Sequence, residues 1–209
     1  KDSTGINSID ELKGRILGYS SPKSTTDILS TLILNQRGIA NQVERKSVGA
    51  LAAGLTALRE GGVDATYIGE PVWSKEKGNY RVAFAATSFV PRFTQTVGIV
   101  KVDYAKKNPD RIRGIINARK RGVEFILQNP AEAAAILARE FKIEAAVARS
   151  AMDTVMQDKA GYWSPGRFDY EGMNANLKGL IIVKAIEDGP FDWKKYVDES
   201  YLPADQRSK

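Results

Sequence analysis

Apolar residues in the first third of the chain come in short bursts separated by polar loops and helical stretches. The burst Ile16-Leu17-Gly18-Tyr19 is too short for a helix and is predicted as a strand. Beyond a polar loop, Ile28, Leu29, Leu32 and Ile33 recur at helical spacing, predicting a helix over residues 24–37 with Gly38 as its stop. Residues 43–48 read as a weaker strand, and 50–60 as an Ala- and Leu-rich helix closed by Gly61-Gly62. A strand over 63–68, a short helix over 71–77 and a strand over 80–85 follow. Strands alternating with helices imply βαβ crossovers and a mostly parallel sheet, so residues 8–86 are predicted as a complete α/β lobe.

The pattern changes after Ala86. Residues 96–102 read as one more strand, and from Asn108 onward nearly everything has helical spacing: 110–127, 130–141, 143–156, 170–187 and 192–198. Pro109 and Pro130 suit a first helical turn, each behind an Asn in the capping position. Residues 87–209 are therefore expected to be a helical part with one strand. One strand cannot make a sheet, so the partner of 96–102 is expected to lie outside this chain.

Composition narrows the chemistry. At 209 residues, 43% hydrophobic and 27% charged, the chain is an ordinary globular protein of one large domain or two small lobes. The net charge of +6 is moderate and favours anionic ligands. Its densest basic region, residues 106–121, is interleaved with Ile112, Ile115 and Ile116; the solvated face of an amphipathic helix is the better reading than a nucleic-acid surface. Cysteine and histidine are both absent. That removes disulfides, thiolate chemistry, the commonest general base and the commonest transition-metal ligand. No apolar run is long enough to span a membrane. The chain opens at Lys1 without a signal sequence, in what reads as a polar connection.

Catalytic patterns are lacking. There is no Ser/His or Cys/His set, no G-x-x-x-x-G-K-S/T loop and no carboxylate cluster for a metal; Asp153 and Asp158 are isolated. An enzyme would have to rest on Glu70, Lys23 or Asp64, so no catalysis, cofactor or metal is expected.

Two loops point instead to ligand capture. In open α/β sheets ligands sit beyond the carboxyl ends of the strands. There the first strand feeds Ser20-Ser21-Pro22-Lys23-Ser24-Thr25-Thr26, which opens a helix, and a later strand delivers Glu70-Pro71. A helix N-terminus receives an anion through its unpaired N–H groups. Ser21, Ser24, Thr25 and Thr26 add hydroxyls and Lys23 adds charge; the alternative is that Ser24 or Thr25 merely caps the helix. Glu70 either meets an amine or ring N–H of a ligand or caps the turn at Pro71. Trp73 either lines a cleft or packs beneath it, and Arg92 either clamps a carboxylate or sulfonate or stays on the surface. Tyr162-Trp163 reads as a packed loop rather than a stacking platform.

The ordered motifs resemble one family. Ser8-Ile9-Asp10-Glu11-Leu12-Lys13-Gly14-Arg15-Ile16-Leu17-Gly18, Ser24-Thr25-Thr26-Asp27, Gly62-Val63-Asp64-Ala65 with Glu70-Pro71, Asn108-Pro109-Asp110, Asn129-Pro130-Ala131-Glu132, and the closing Asp192-Trp193 and Val197-Asp198-Glu199-Ser200-Tyr201-Leu202 follow its order and spacing. The chain is similar to periplasmic solute-binding proteins of ABC importers, in the branch of nitrate, alkanesulfonate, taurine and thiamine-precursor binders. The resemblance implies an α/β, type II periplasmic-binding fold, two lobes with parallel-dominated sheets and a helical C-terminal extension. It implies a monomer that captures a small anionic or zwitterionic solute (sulfonate, nitrate, carboxylate or pyrimidine) between its lobes and delivers it to a membrane permease. Its location would be periplasmic, or extracellular and lipid-anchored in a Gram-positive source. Residues 8–86 would be the second lobe and 87–209 the returning part of the first, with Gln95 and Thr96 at the return. About a hundred upstream residues, an ordinary small-domain length, would carry the signal sequence and the first strands of lobe one. Pro22-Lys23 departs from the family, which often has glycine there. A LysR-type effector domain shares the fold but lacks the long helical tail, and pyrimidine-synthase relatives depend on histidine and cysteine.

Overall fold

A computed structural model describes residues 5–157 and 162–208; Asp158 lies outside them. The chain divides into two compact units, Lys1–Gln95 with Glu171–Asp188, and Thr96–Tyr170 with Gly189–Lys209. The segment Glu171–Asp188 thus packs with the α/β part, where the sequence pattern had grouped it with the C-terminal helices.

The first unit is built on three parallel strands, β1 (Ile16–Tyr19), β2 (Glu44–Ser47) and β3 (Ala65–Thr66), in the order β2-β1-β3. Leu17 lies opposite Arg45 on one side and Ala65 on the other. Helix α1 (Thr25–Gln36) joins β1 to β2, and α2 (Leu51–Arg59) joins β2 to β3. One face of the sheet buries Leu17 against Ile33 and Leu34 of α1, with Ile6, Ile9, Leu12, Ile39 and Val43 completing the core. On the other face α2 approaches through Gly54, where a Cβ would lie 2.5 Å from Thr66 Oγ1, so only glycine admits this closeness. Helix α3 (Val72–Glu76) follows β3. Helix α8 (Tyr170–Ile182) closes on α1 through Gly179, whose hypothetical Cβ would meet Ile28 Cγ2 at 2.1 Å.

Two predicted strands are not strands. Residues 80–85 and 96–102 carry apolar, β-branched sequence, yet no described strand runs beside either, and a strand without a neighbour has no ladder to join. The end of the second stretch turns into a short helix instead, α4 (Val102–Lys107), which closes its hydrogen bonds locally.

The second unit is helical among its described residues: α4, α5 (Pro109–Gln128), α6 (Pro130–Phe141) and α7 (Ala145–Met156). Its core joins Ala133 and Ala134 of α6 to Met152 and Val155 of α7, with Phe125, Ile126 and Trp163 packed against them. Trp163 is therefore a packing residue, and Tyr162 meets it edge-on at 4.9 Å. Pro109 and Pro130 open their helices as predicted, but the preceding asparagines do not cap forward. Asn108 and Asn129 donate their side-chain amides backward, to the carbonyls of Tyr104 and Phe125, and so close the preceding helices. The predicted helix over 192–198 shrinks to one 3-10 turn, Trp193–Lys195, started by Asp192, and a second turn, Glu199–Tyr201, started by Asp198, follows just beyond it. Lys120 of α5 ties the C-terminal segment through Asp205 at 2.8 Å, and Arg167 donates to the Asp205 carbonyl.

Candidate functional site

Because all three strands are parallel, the loops after Tyr19, Ser47 and Thr66 leave from one edge of the sheet. The chain runs from β1 to β2 on one side and reaches β3 on the other, so the topology switches between β1 and β3. The two loops singled out by sequence, Ser20–Ser24 and the one ending at Glu70, flank that switch point.

The first loop is held from within. Ser24 is the N-cap of α1, its Oγ accepting from the Asp27 N–H at 3.3 Å. Ser20 donates its N–H to Thr26 Oγ1 at 2.8 Å, and its Oγ lies 2.9 Å from Ser24 Oγ and 2.8 Å from Thr26 Oγ1. The Ser20 carbonyl accepts from Ser47 Oγ and Gly49 N–H, which joins this loop to the one after β2. Exposed Ser21 donates its N–H weakly to Ser24 Oγ at 3.4 Å. Lys23 sits at φ +65°, the left-handed region that glycine favours, which is how a lysine stands where the related pattern has glycine. Its N–H is held at 2.7 Å by Asp27 Oδ2. Ser24 thus is the helix cap, and Thr25 contributes no side-chain cap.

One pair of donors remains. Among the described residues the backbone N–H groups of Thr25 and Thr26 have no acceptor, at the positive end of a twelve-residue helix. An anion placed there meets two N–H groups with the Lys23 ammonium on the same turn.

Beneath this turn lies a polar layer that sequence reasoning missed. Asp27 is buried, and its Oδ1 accepts from Arg45 of β2 at 2.7 Å. The same guanidinium reaches Thr31 and lies 5.6 Å from the centre of the Tyr19 ring. Next to it the Tyr67 hydroxyl is removed from solvent and has no hydrogen-bond partner among the described residues. Burial pushes the phenol up to about 12, against the opposing pull of Ser30 and Arg45 beside it. Ser30 donates its own hydroxyl to the Thr26 carbonyl. No local sequence signal marked the pair, since Arg45 meets this turn only through the register that sets it opposite the core residue Leu17.

On the second loop, Glu70 directs its carboxylate at its own helix, accepting from Ser74 N–H and Ser74 Oγ, both at 3.1 Å. The Glu70–Pro71 peptide is cis. Trp73 is half-buried on α3. Asp64 accepts the Ile16 N–H at 2.8 Å and faces Arg15 at 3.7 Å, so it extends the β1–β3 pairing. The structure thus brings Ser21, Lys23, Ser24, Thr25 and Thr26 onto one loop and places Glu70 and Trp73 on the adjacent one. Arg92 and Gln95 lie elsewhere, on a segment fastened to α8: Arg92 Nε pairs with Glu171 at 3.2 Å, and Gln95 is exposed. An apolar groove of about 530 Å³ between Leu32, Phe89, Ala175 and Ile182 contains none of these residues.

Parallel strands, a polar helix start at the switch point and a helical second unit define the class: the fold is that of a periplasmic binding protein. The chain matches the crystal structure of the periplasmic aliphatic sulphonate binding protein SsuA from Escherichia coli with a TM-score of 0.71 at 19% identity, covering 95% of this chain and 67% of that one. The alkanesulfonate-binding protein SsuA from Xanthomonas axonopodis pv. citri, bound to MOPS, matches with a TM-score of 0.60 at 14% identity, over 86% of this chain and 60% of that one. The chain belongs to the NMT1/THI5-like family, whose model matches residues 1–133. No curated protein matches it.

Proposed function

We propose that the chain is a solute-binding component of an ABC importer, working outside the cytoplasmic membrane and handing its solute to a membrane permease. The observation that carries this reading is the pair of unengaged N–H groups at Thr25 and Thr26, at the switch point of a periplasmic-binding fold. The solute class is a small anion or zwitterion of the sulfonate, nitrate, carboxylate or pyrimidine type. Its anionic group would rest on Thr25 and Thr26, with Ser21, Ser24 and Lys23 around it and Glu70 and Trp73 bordering the space. Arg92 and Gln95 would act only with a solute that extends past these loops. The sulfonate branch is favoured by the two SsuA proteins, one of them holding MOPS. Capture without chemistry fits the acidic groups: Glu70 serves Ser74 and Asp64 serves Ile16, so neither is left as a base. The first unit corresponds in this reading to the second lobe.

The test is a thermal melt with methanesulfonate, taurine, MOPS, nitrate, acetate and thiamine pyrimidine. A solute at about a hundred times its Kd adds about 2.7 kcal/mol to the native state. For a protein of this size that raises Tm by about 5–10 °C. A shift with one anionic class, lost on Thr25→Pro (which removes one of the two N–H groups), supports the reading. A panel without any shift refutes it.

A further inference from the structure

We infer that Arg45 is a positioning residue of this site: it neutralises the buried Asp27 carboxylate, and so lets that carboxylate hold the Lys23 turn without repelling the solute. The inference rests on the solute-binding reading above. It begins from a conflict. A helix start that receives an anion has, in its own first turn, a carboxylate with a relative exposure of only 6%. Uncompensated, that charge would oppose any anion at Thr25 and Thr26, since two like charges a few ångströms apart in a partly buried place repel strongly.

Three observations show what Asp27 does there and what makes it tolerable. Its Oδ2 takes the Lys23 N–H at 2.7 Å, the bond that fixes a left-handed residue. Its Oδ1 takes the Arg45 guanidinium, also at 2.7 Å, and that guanidinium comes from a different element, β2, anchored opposite Leu17 in the ladder. Finally, the Tyr67 hydroxyl, removed from solvent, lies beside the same Arg45 and Ser30, so the chain after β3 lines this group as well. The groups that face the Asp27 carboxylate are thus Arg45 and the Lys23 amide, and cation and carboxylate cancel. Removing Arg45 alone leaves a buried charge unpaired, the costly half of breaking such a pair. Removing both charges leaves a neutral turn.

The experiment follows the ¹⁵N-resolved amides of Lys23, Thr25 and Thr26 while methanesulfonate and, separately, inorganic sulfate are added to the wild type, Arg45→Met, Asp27→Asn and Asp27→Asn/Arg45→Met. The expected result is saturable movement of the Thr25 and Thr26 amides in the wild type. In Arg45→Met the apparent Kd rises at least tenfold, and in the double variant it returns to within about threefold of wild type. Stability serves as the control: the double variant recovers affinity even if its Tm stays as low as that of Arg45→Met, which a merely structural role would not produce. Equal affinities in the wild type and Arg45→Met, or a double variant no better than Arg45→Met, would overturn the role of Arg45 while leaving the solute-binding reading intact. A wild type whose Thr25 and Thr26 amides ignore both anions would overturn both.

Discussion

Replacing Gly179 by alanine is expected to loosen α8 from α1. Two effects oppose each other. In an isolated helix the change would help, because glycine is about 1 kcal/mol worse than alanine in a helix interior. Here the new Cβ would lie 2.1 Å from Ile28 Cγ2 and 3.3 Å from Leu32 Cδ1. Carbon atoms in contact prefer about 3.5–4.0 Å, so α8 must retreat or Ile28 must leave its rotamer. Ile28 is itself only 3% exposed and has nowhere open to turn. Overpacking of this kind costs about 1–3 kcal/mol, and a gap this small lies at the upper end. The net loss is then about 1–2 kcal/mol, or a Tm lowered by about 2–8 °C in a chain of this length. Thermal unfolding followed by far-ultraviolet circular dichroism reads it directly. Adding Ile28→Ala tests the cause: the double variant should lose less than the sum of the two singles, by about 1 kcal/mol or more. A Gly179→Ala protein as stable as wild type, or more so, would refute the close seating of α8 on α1.

Three further outcomes are expected. Lys23→Gly should raise stability by about 0.5–1 kcal/mol, since glycine occupies φ +65° without the left-handed penalty; in the same protein methanesulfonate affinity should fall, measured by titration calorimetry, because the ammonium is gone. Tyr67→Phe should leave chemical stability unchanged or higher in a urea melt, as it deletes a buried hydroxyl that has no partner among the described residues. The Lys120 ammonium, with help from Gln206, holds the Asp205 carboxyl down at about 2. A lowered folded-state value stabilises above the unfolded carboxylate range and is lost as pH falls through the folded value, so the Tm gap between wild type and Asp205→Asn should be full above about pH 5 and close towards pH 2.

What the sequence displayed clearly was whatever closes its hydrogen bonds locally. The helix predicted over 130–141 coincides with α6, and that over 24–37 overruns α1 by a residue at each end, because apolar spacing and a polar start are written into consecutive residues. Strand β1 coincides with its prediction for a different reason: it is the central strand, paired on both sides. At the periphery the same reasoning overshot. Residues 63–68 keep only two as strand, and 80–85 and 96–102 none, since strand formation depends on a neighbour the local sequence does not specify. The site divided along the same line. The Ser20–Thr26 loop was legible because a single segment carries it. The Asp27–Arg45 pair was not, because eighteen residues separate its members and only the β1–β2 register brings them together.

The fastening of Arg92–Gln95 to α8 has a consequence for engineering. Thr94 donates its N–H to the Gly172 carbonyl at 3.1 Å, and Asn176 returns a bond to the Thr94 carbonyl at 2.8 Å. The chain therefore leaves the first unit at Gln95 and rejoins it at Glu171 from nearly the same point, as a guest domain spliced into a host loop does, and then gives its last segment, Gly189–Lys209, to the second unit as well. A few glycines in place of residues 96–169, with the chain ended at Asp188, would leave the host as one continuous chain with its strands, α1 and α8 intact. The same junction would accept a fluorescent or enzymatic insert, and the helix start at Thr25 would then have a reporter built into its own scaffold.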